Sequence, residues 1–98
     1  MVIEFLTFDV DPSDLEEWLA VDHDTWTRFL ETRDGFVSKQ VWTDRERPGT
    51  VHAVITWRDE AAWESIPTEL LDAVDRSMGA WRRAPTCRTF DVVRPAAD

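Results

Sequence analysis

Residues 2–10, VIEFLTFDV, carry β-branched or aromatic side chains at most positions, which predicts a strand. Val2, Leu6, Phe8 and Val10 fall on one face, and Ile3 and Phe5 on the other. A strand with one wet face alternates more cleanly, so this one is expected to be covered on both sides. The next segment, DPSDLEEW, opens a helix: Asp11 can cap, Pro12 suits the first helical position, and early acids suit the dipole. Counted from Leu15, the apolar residues Trp18, Leu19, Trp26, Phe29 and Leu30 lie at +3, +4, +11, +14 and +15, one face of a helix that ends near Gly35. The position at +7 is Asp22, a carboxylate on the apolar stripe.

FVSKQVW (36–42) and TVHAVITW (50–57) predict two further strands joined by the turn TDRERPG. Asp59 caps a helix at EAAWES, and Pro67 interrupts and restarts it as PTELLDAVDRSMGAW, with Trp63, Ile66, Leu70, Val74 and Trp81 expected on a shared face. APTCRTFDVV (84–93) predicts a last strand. The order strand–helix–strand–strand–helix–strand predicts one domain over residues 1–98, with a core of about 2–94. Its class is α+β, ferredoxin-like: a four-stranded antiparallel sheet with two helices on one face. The other apolar face needs a cover. A second copy of the chain is the simplest one, so a homodimer packed sheet against sheet into an α+β barrel is expected.

Composition narrows the function. Eleven basic residues against twenty acidic ones give a net charge of −9, which lacks the basic footprint of a nucleic-acid binder. The charge is lopsided: residues 1–34 hold ten acids against Arg28 and Arg33, and residues 76–94 hold five arginines against Asp91. Two solvated surfaces of opposite sign account for this. Cys87 stands alone, so no intrachain disulfide or thiolate cage forms; it is expected to be buried in its strand and inert. The first residues lack a basic n-region, and no apolar run approaches the roughly 20 residues that span a bilayer. A cytoplasmic protein without membrane partners is expected. Gly-rich phosphate loops, a nucleophile elbow and a zinc-helix motif are missing, so no nucleotide cofactor is expected.

The candidate chemistry centres on VDHDTW (21–26). Asp22 lies four residues from both Trp18 and Trp26. Desolvation there would raise its pKa toward the range of a general base. The structural alternative stands first: Asp22 accepts an indole N–H bond or pairs with an arginine, as buried charges generally must. His23 lies about 100° further round the helix, at a pocket rim or in solvent, and Asp24 faces water. His52 sits in an apolar strand, where Glu4 would face it if the first and third strands ran parallel; such a pair would orient the imidazole. Asp22, His23 and His52 make a poor metal site, because adjacent helical residues point apart, so no metal is expected. The six tryptophans exceed what a small core needs. Trp18, Trp26 and Trp63, with Glu4, are the expected substrate contacts in an apolar pocket with a few placed polar groups.

VIEFLTF (2–8), DHDTWT (22–27), DGFVSKQVW (34–42), ITW (55–57) and WESIP (63–67) together resemble the dimeric α+β barrel superfamily. Within it, the chain resembles antibiotic-biosynthesis-monooxygenase-like proteins, most closely a bacterial group of about this length without an assigned reaction. The resemblance implies a pocket between sheet and helices, suited to a small hydrophobic or aromatic metabolite. Relatives include cofactor-free monooxygenases, polyketide cyclases, lactone isomerases and haem-degrading enzymes, so fold alone does not assign a reaction. The chain has no Asn and no Tyr, so the Asn–Trp–His, Asn–Trp–Tyr and Tyr–His sets of those relatives cannot be assembled. Ile66 stands where many relatives carry a histidine. The leading expectation is therefore a cofactor-independent cyclase, isomerase or monooxygenase with Asp22 as base and His23 or His52 as a second acid–base group. A non-catalytic ligand-binding or accessory protein is the alternative, and a haem-binding or haem-degrading protein the third.

Overall fold

The computed structural model describes residues 1–96; the last two residues of the expected domain lie outside it. Strands β1 (Val2–Asp9), β2 (Phe36–Thr43), β3 (Thr50–Trp57) and β4 (Thr86–Asp91) form one sheet in the order β2-β3-β1-β4, with every neighbouring pair antiparallel. This is the ferredoxin-like α+β architecture. The expected parallel pairing of the first and third strands is corrected. Each connection through a helix crosses over a strand, which leaves β3 running against β1. In the true register Glu4 is opposite Ile55 and His52 is opposite Thr7, so Glu4 and His52 occupy opposite faces of the sheet.

The period-two pattern of β3 shows how the sheet is used. Val51, Ala53, Ile55 and Trp57 are buried, and the alternate His52, Val54 and Thr56 are half-buried. On the helix side, Phe8, Val10, Val51 and Ala53 pack with Trp18 and Met78, while Ile55 and Trp57 pack with Leu30, Ala62 and Ile66. Burying an aliphatic side chain such as Leu30 or Ile55 stabilises by about 1.5–3 kcal/mol. The other face stays open and largely apolar. There Phe5 stacks on His52 at 4.9 Å and meets Trp42 and Phe90 edge-on at 6.1 and 6.0 Å.

The first helical run is continuous but not uniform. A 3-10 turn (Pro12–Asp14) leads into α1 (Leu15–Asp22), a π-helical turn (His23–Thr27) and α2 (Arg28–Glu31). The Arg28 N–H bonds the His23 carbonyl five residues back. Thr25 Oγ1 donates to the Val21 carbonyl at 2.7 Å and lies 2.9 Å from Met78 Sδ, which perturbs the regular ladder at this point. Asp11 caps the run's start by accepting from the Ser13 N–H at 2.9 Å.

The second run divides at Pro67 into α3 (Glu60–Glu64) and α4 (Thr68–Ser77), followed by a 3-10 turn (Gly79–Trp81). Asp59 caps α3 through the Ala62 N–H at 2.8 Å. The expected common face is corrected at Leu70, which is exposed, while Leu71 packs inward. The proline breaks phase, so spacing counted from Trp63 and Ile66 does not carry into α4. Cys87 is exposed rather than buried, because β4 is an edge strand whose residues are all exposed.

The first helical run ends at Thr32, its C-cap, three residues before the expected Gly35; Gly35 instead takes φ of 82° in the turn into β2, and its carbonyl accepts the Arg58 N–H at 2.8 Å. A methyl group there would overlap the Ala62 side chain of α3. Gly35→Ala is expected to lose at least about 1–2 kcal/mol of stability from the left-handed backbone alone. Urea unfolding measures this, and an unchanged midpoint would contradict the close approach.

Candidate active site

A cavity of about 290 Å³ lies between the sheet and the helices. It sits at the small end of the roughly 300–1,000 Å³ typical of ligand pockets, which suits a molecule of one or two rings. Leu6, Phe8, Ala53 and Ile55 form the sheet wall; Trp18, Trp26, Leu30, Leu71 and Met78 line the helical side. Three ionisable side chains interrupt these apolar walls: Glu4, Asp22 and Lys39. Asp72, Asp75 and Arg83 also border the cavity.

The π turn and a β-bulge bring the polar groups together. Asp22 is the last residue of α1 and is 3% exposed. Its Oδ2 accepts from Lys39 Nζ at 2.7 Å. Lys39 Nζ also donates to Thr27 Oγ1, within the π turn, at 2.8 Å. The Lys39 side chain is 3% exposed, so this is a buried ion pair with a hydroxyl as third member. Lys39 faces inward because β2 bulges between Phe36 and Ser38. Strict alternation from inward-facing Phe36 would turn Ser38 and Gln40 inward and Lys39 out; the extra residue, Val37, reverses the phase.

Glu4 lies two strands from Lys39 in the same cross-strand row, with Ile55 between them. Its Oε1 accepts from Trp57 Nε1 at 3.2 Å. Burial pushes its carboxyl above the ordinary glutamate range, and the indole N–H groups of Trp57 and Trp63 and the charge of Lys39 oppose that shift without cancelling it. Trp18 spends its own N–H on the Trp81 carbonyl at 3.0 Å, so its indole meets the cavity as an apolar wall.

The structure thus brings Glu4, Asp22, Trp18 and Trp26 to one cavity. It does not bring His23, His52 or Trp63 there. His23 is exposed on the outer side of the π turn, next to an exposed Asp24 that pairs with Arg28 at 3.6 Å. His52 lies on the open sheet face, with Nδ1 3.0 Å from Thr7 Oγ1. Trp63 touches the core near Glu4 but borders a separate, shallower depression with Val2, Glu60 and Phe90. Asp22 has the charged partner expected of a buried carboxylate, though it is a lysine rather than an arginine. Lys39 was the residue that sequence reasoning missed. A lysine inside the strand FVSKQVW was the available signal, and the bulge concealed which way it pointed. Among the described residues, no group of three or more His, Cys, Asp or Glu converges as a metal site.

A ferredoxin-like sheet with an aromatic-lined cavity beneath its helices defines the structural class. The chain matches the antibiotic biosynthesis monooxygenase family over residues 1–65 and belongs to it. A point mutant of SnoaB, a cofactor-independent oxygenase from Streptomyces nogalater, superimposes with a TM-score of 0.74 at 20% identity, covering 99% of this chain and 97% of the other. A candidate antibiotic biosynthesis monooxygenase from Caulobacter crescentus gives 0.76 at 19% identity over 95% and 90% of the two chains. A similar protein from Bordetella bronchiseptica gives 0.75 at 13% over 95% and 97%. At such identities the likeness concerns the fold alone. No curated protein sequence matches the chain. Among the described residues, no helix is long and apolar enough to cross a membrane.

The buried pair sets up a stability test. Lys39→Met strands Asp22 as an unpaired buried charge and is expected to cost about 3–5 kcal/mol. Replacing both partners, as Lys39→Met with Asp22→Leu, is expected to cost far less, because no orphan remains. Denaturant unfolding of the two variants would refute the account if the double variant were the less stable.

Proposed function

We propose that the cavity binds a small hydrophobic or aromatic metabolite and that the protein acts on it without metal or nucleotide cofactor, as a monooxygenase. The observation that carries this reading is Glu4: a carboxyl set in an apolar cavity wall, with its affinity for protons raised by burial. A carboxylate in that setting is suited to general-base work near neutral pH. Asp22 was the expected base, but its Oδ2 is engaged by Lys39, so the role passes to Glu4. Trp18 and Trp26 hold the ring system of the substrate.

The chemistry follows from a base in a largely apolar pocket wall. Glu4 takes a proton from an acidic methylene, and the electron pair stays on the substrate as a carbanion conjugated with a carbonyl. Dioxygen, the co-substrate and oxidant, attacks that carbon. One oxygen atom becomes the new carbonyl, and the other leaves as water with the two methylene hydrogens. Membership of a monooxygenase family favours this outcome over simple isomerisation or cyclisation, in which the proton would return to another carbon.

The second reading, a non-catalytic ligand-binding protein, is favoured by one observation: the buried pair already satisfies the Asp22 carboxylate. A haem role loses its natural support, since neither histidine lines the cavity. The lone Cys87 suits the reducing cytoplasm in which we place the protein.

We also propose a homodimer formed by the open sheet faces. Phe5, Trp42, Val54 and Phe90 make that face apolar, and Trp42 and Phe90 are 46% and 41% exposed in the single chain. An exposed apolar patch of this kind marks an interaction surface. Sedimentation at micromolar concentration is expected to give twice the chain mass, and Val54→Arg to give the monomer. A wild-type monomer would sink the dimer.

Catalysis is tested with 2-tetralone, a two-ring ketone with an acidic methylene. Oxygen uptake above the buffer rate is expected, and Glu4→Gln is expected to lose at least about tenfold with its circular dichroism unchanged. Equal uptake by the variant would remove Glu4 as base. No uptake by a wild-type protein whose tryptophan fluorescence is quenched by the ketone would favour the binding-protein reading.

A further inference from the structure

We propose that Lys39 is a catalytic residue, the electrophile that binds the substrate's carbonyl oxygen and stabilises the enolate formed when Glu4 removes the neighbouring proton. The proposal rests on the reading of Glu4 as base and adds the group that receives the negative charge.

An ammonium has three N–H donors. Lys39 spends one on Asp22 Oδ2 at 2.7 Å and one on Thr27 Oγ1 at 2.8 Å. Among the described residues, no third acceptor is bonded to it. Its side chain is 3% exposed, so bulk water does not take the remaining donor, yet Lys39 lines the cavity. A buried charged donor with one bond unmade is costly, and an oxygen atom of a bound ligand would complete it. Asp22 and Thr27 hold the ammonium from behind, so it need not reorganise when charge develops in front of it.

The spacing fits the role. Lys39, Ile55 and Glu4 occupy one row on adjacent strands, which puts the backbones of the acid–base group and the cation about 10 Å apart. Ile55 forms an apolar floor between them. A flat molecule lying on that floor would present its carbonyl to Lys39 and its acidic C–H to Glu4. The C–H bond breaks, and the proton goes to the Glu4 carboxylate. The bonding pair moves through the new carbon–carbon double bond onto oxygen, where Lys39 donates. Return of a solvent-exchanged proton from Glu4 reverses the step with nothing oxidised, so it can be followed without dioxygen.

The test is deuterium exchange into the α-position of 2-tetralone in deuterated buffer under argon, followed by proton NMR. The wild-type protein is expected to accelerate exchange over buffer. Lys39→Met is expected to lose about a hundredfold, the usual order for one lost oxyanion donor, while the ketone still quenches tryptophan fluorescence. Because that variant strands Asp22, Lys39→Met with Asp22→Asn provides the same test with no orphan charge. Lys39→Arg is expected to restore part of the rate. A folded Lys39→Met or double variant exchanging at the wild-type rate would overturn the proposal, as would a wild-type protein no faster than buffer. Exchange that depends on Lys39, together with no oxygen uptake in air, would uphold the role of Lys39 and reject the monooxygenase reading alone.

Discussion

The buried contact between Lys39 and Asp22 is the constraint around which the site is arranged. Two charges taken out of water lose several kcal/mol of hydration each, and their attraction offsets that only when the geometry is good and the remaining donors find partners. Two departures from regular structure, with the helix end between them, provide that geometry. The β2 bulge turns Lys39 inward, the end of α1 presents Asp22, and the π turn carries Thr27. The bulge and the π turn are each a local irregularity. Together they explain why a lysine and an aspartate, 17 residues apart in the chain, meet at 2.7 Å on a cavity wall.

The sheet keeps its polar groups on separate faces by the same alternation. Along β1, Glu4 points toward the helices with Leu6 and Phe8, while Phe5 and Thr7 point away with His52. Parity sends Glu4 to the cavity and His52 to the open face, where Phe5 stacks on it, and the β2 bulge sends Lys39 to the cavity. Glu4, Asp22 and Lys39 are the groups that an acid–base mechanism on the buried wall of this cavity would draw on.

The elements were legible in the sequence because they rest on local chemistry. Asp11 with Pro12 and Asp59 mark helix starts that the structure keeps, and the apolar runs of β1 and β3 predict their strands to within a residue. Asp22 was legible as an anomaly for the same reason: Trp18 and Trp26 bracket it at helical spacing. Its partner was not. The sign of the residue facing Asp22 depends on a one-residue bulge in a strand that begins 14 residues later, and periodicity carries no record of such an insertion. The pairing of Glu4 with His52 failed for a related reason. Face and register depend on strand direction, which follows from how the connections cross, and no local motif states it.

The polar row is also hard to justify as a stabilising device. Glu4, Asp22 and Lys39 interrupt the largely apolar inner wall of the cavity, and replacing a buried ion pair by well-packed apolar side chains is often neutral or stabilising by about 1–4 kcal/mol. A carboxyl whose burial raises its affinity for protons is likewise held in a costly environment. Local rules of this kind are broken, at some cost to stability, where a protein does its work. The rest of the molecule follows those rules closely. Asp11 and Asp59 cap the starts of the two helical runs, and among the described residues the left-handed positions are glycines and Arg33 Nε is the one buried side-chain polar atom left unpaired. The strain of burying charge is concentrated in a cavity that can take a small ring system, on the wall a substrate would touch, and the proposed chemistry accounts for that coincidence better than packing does.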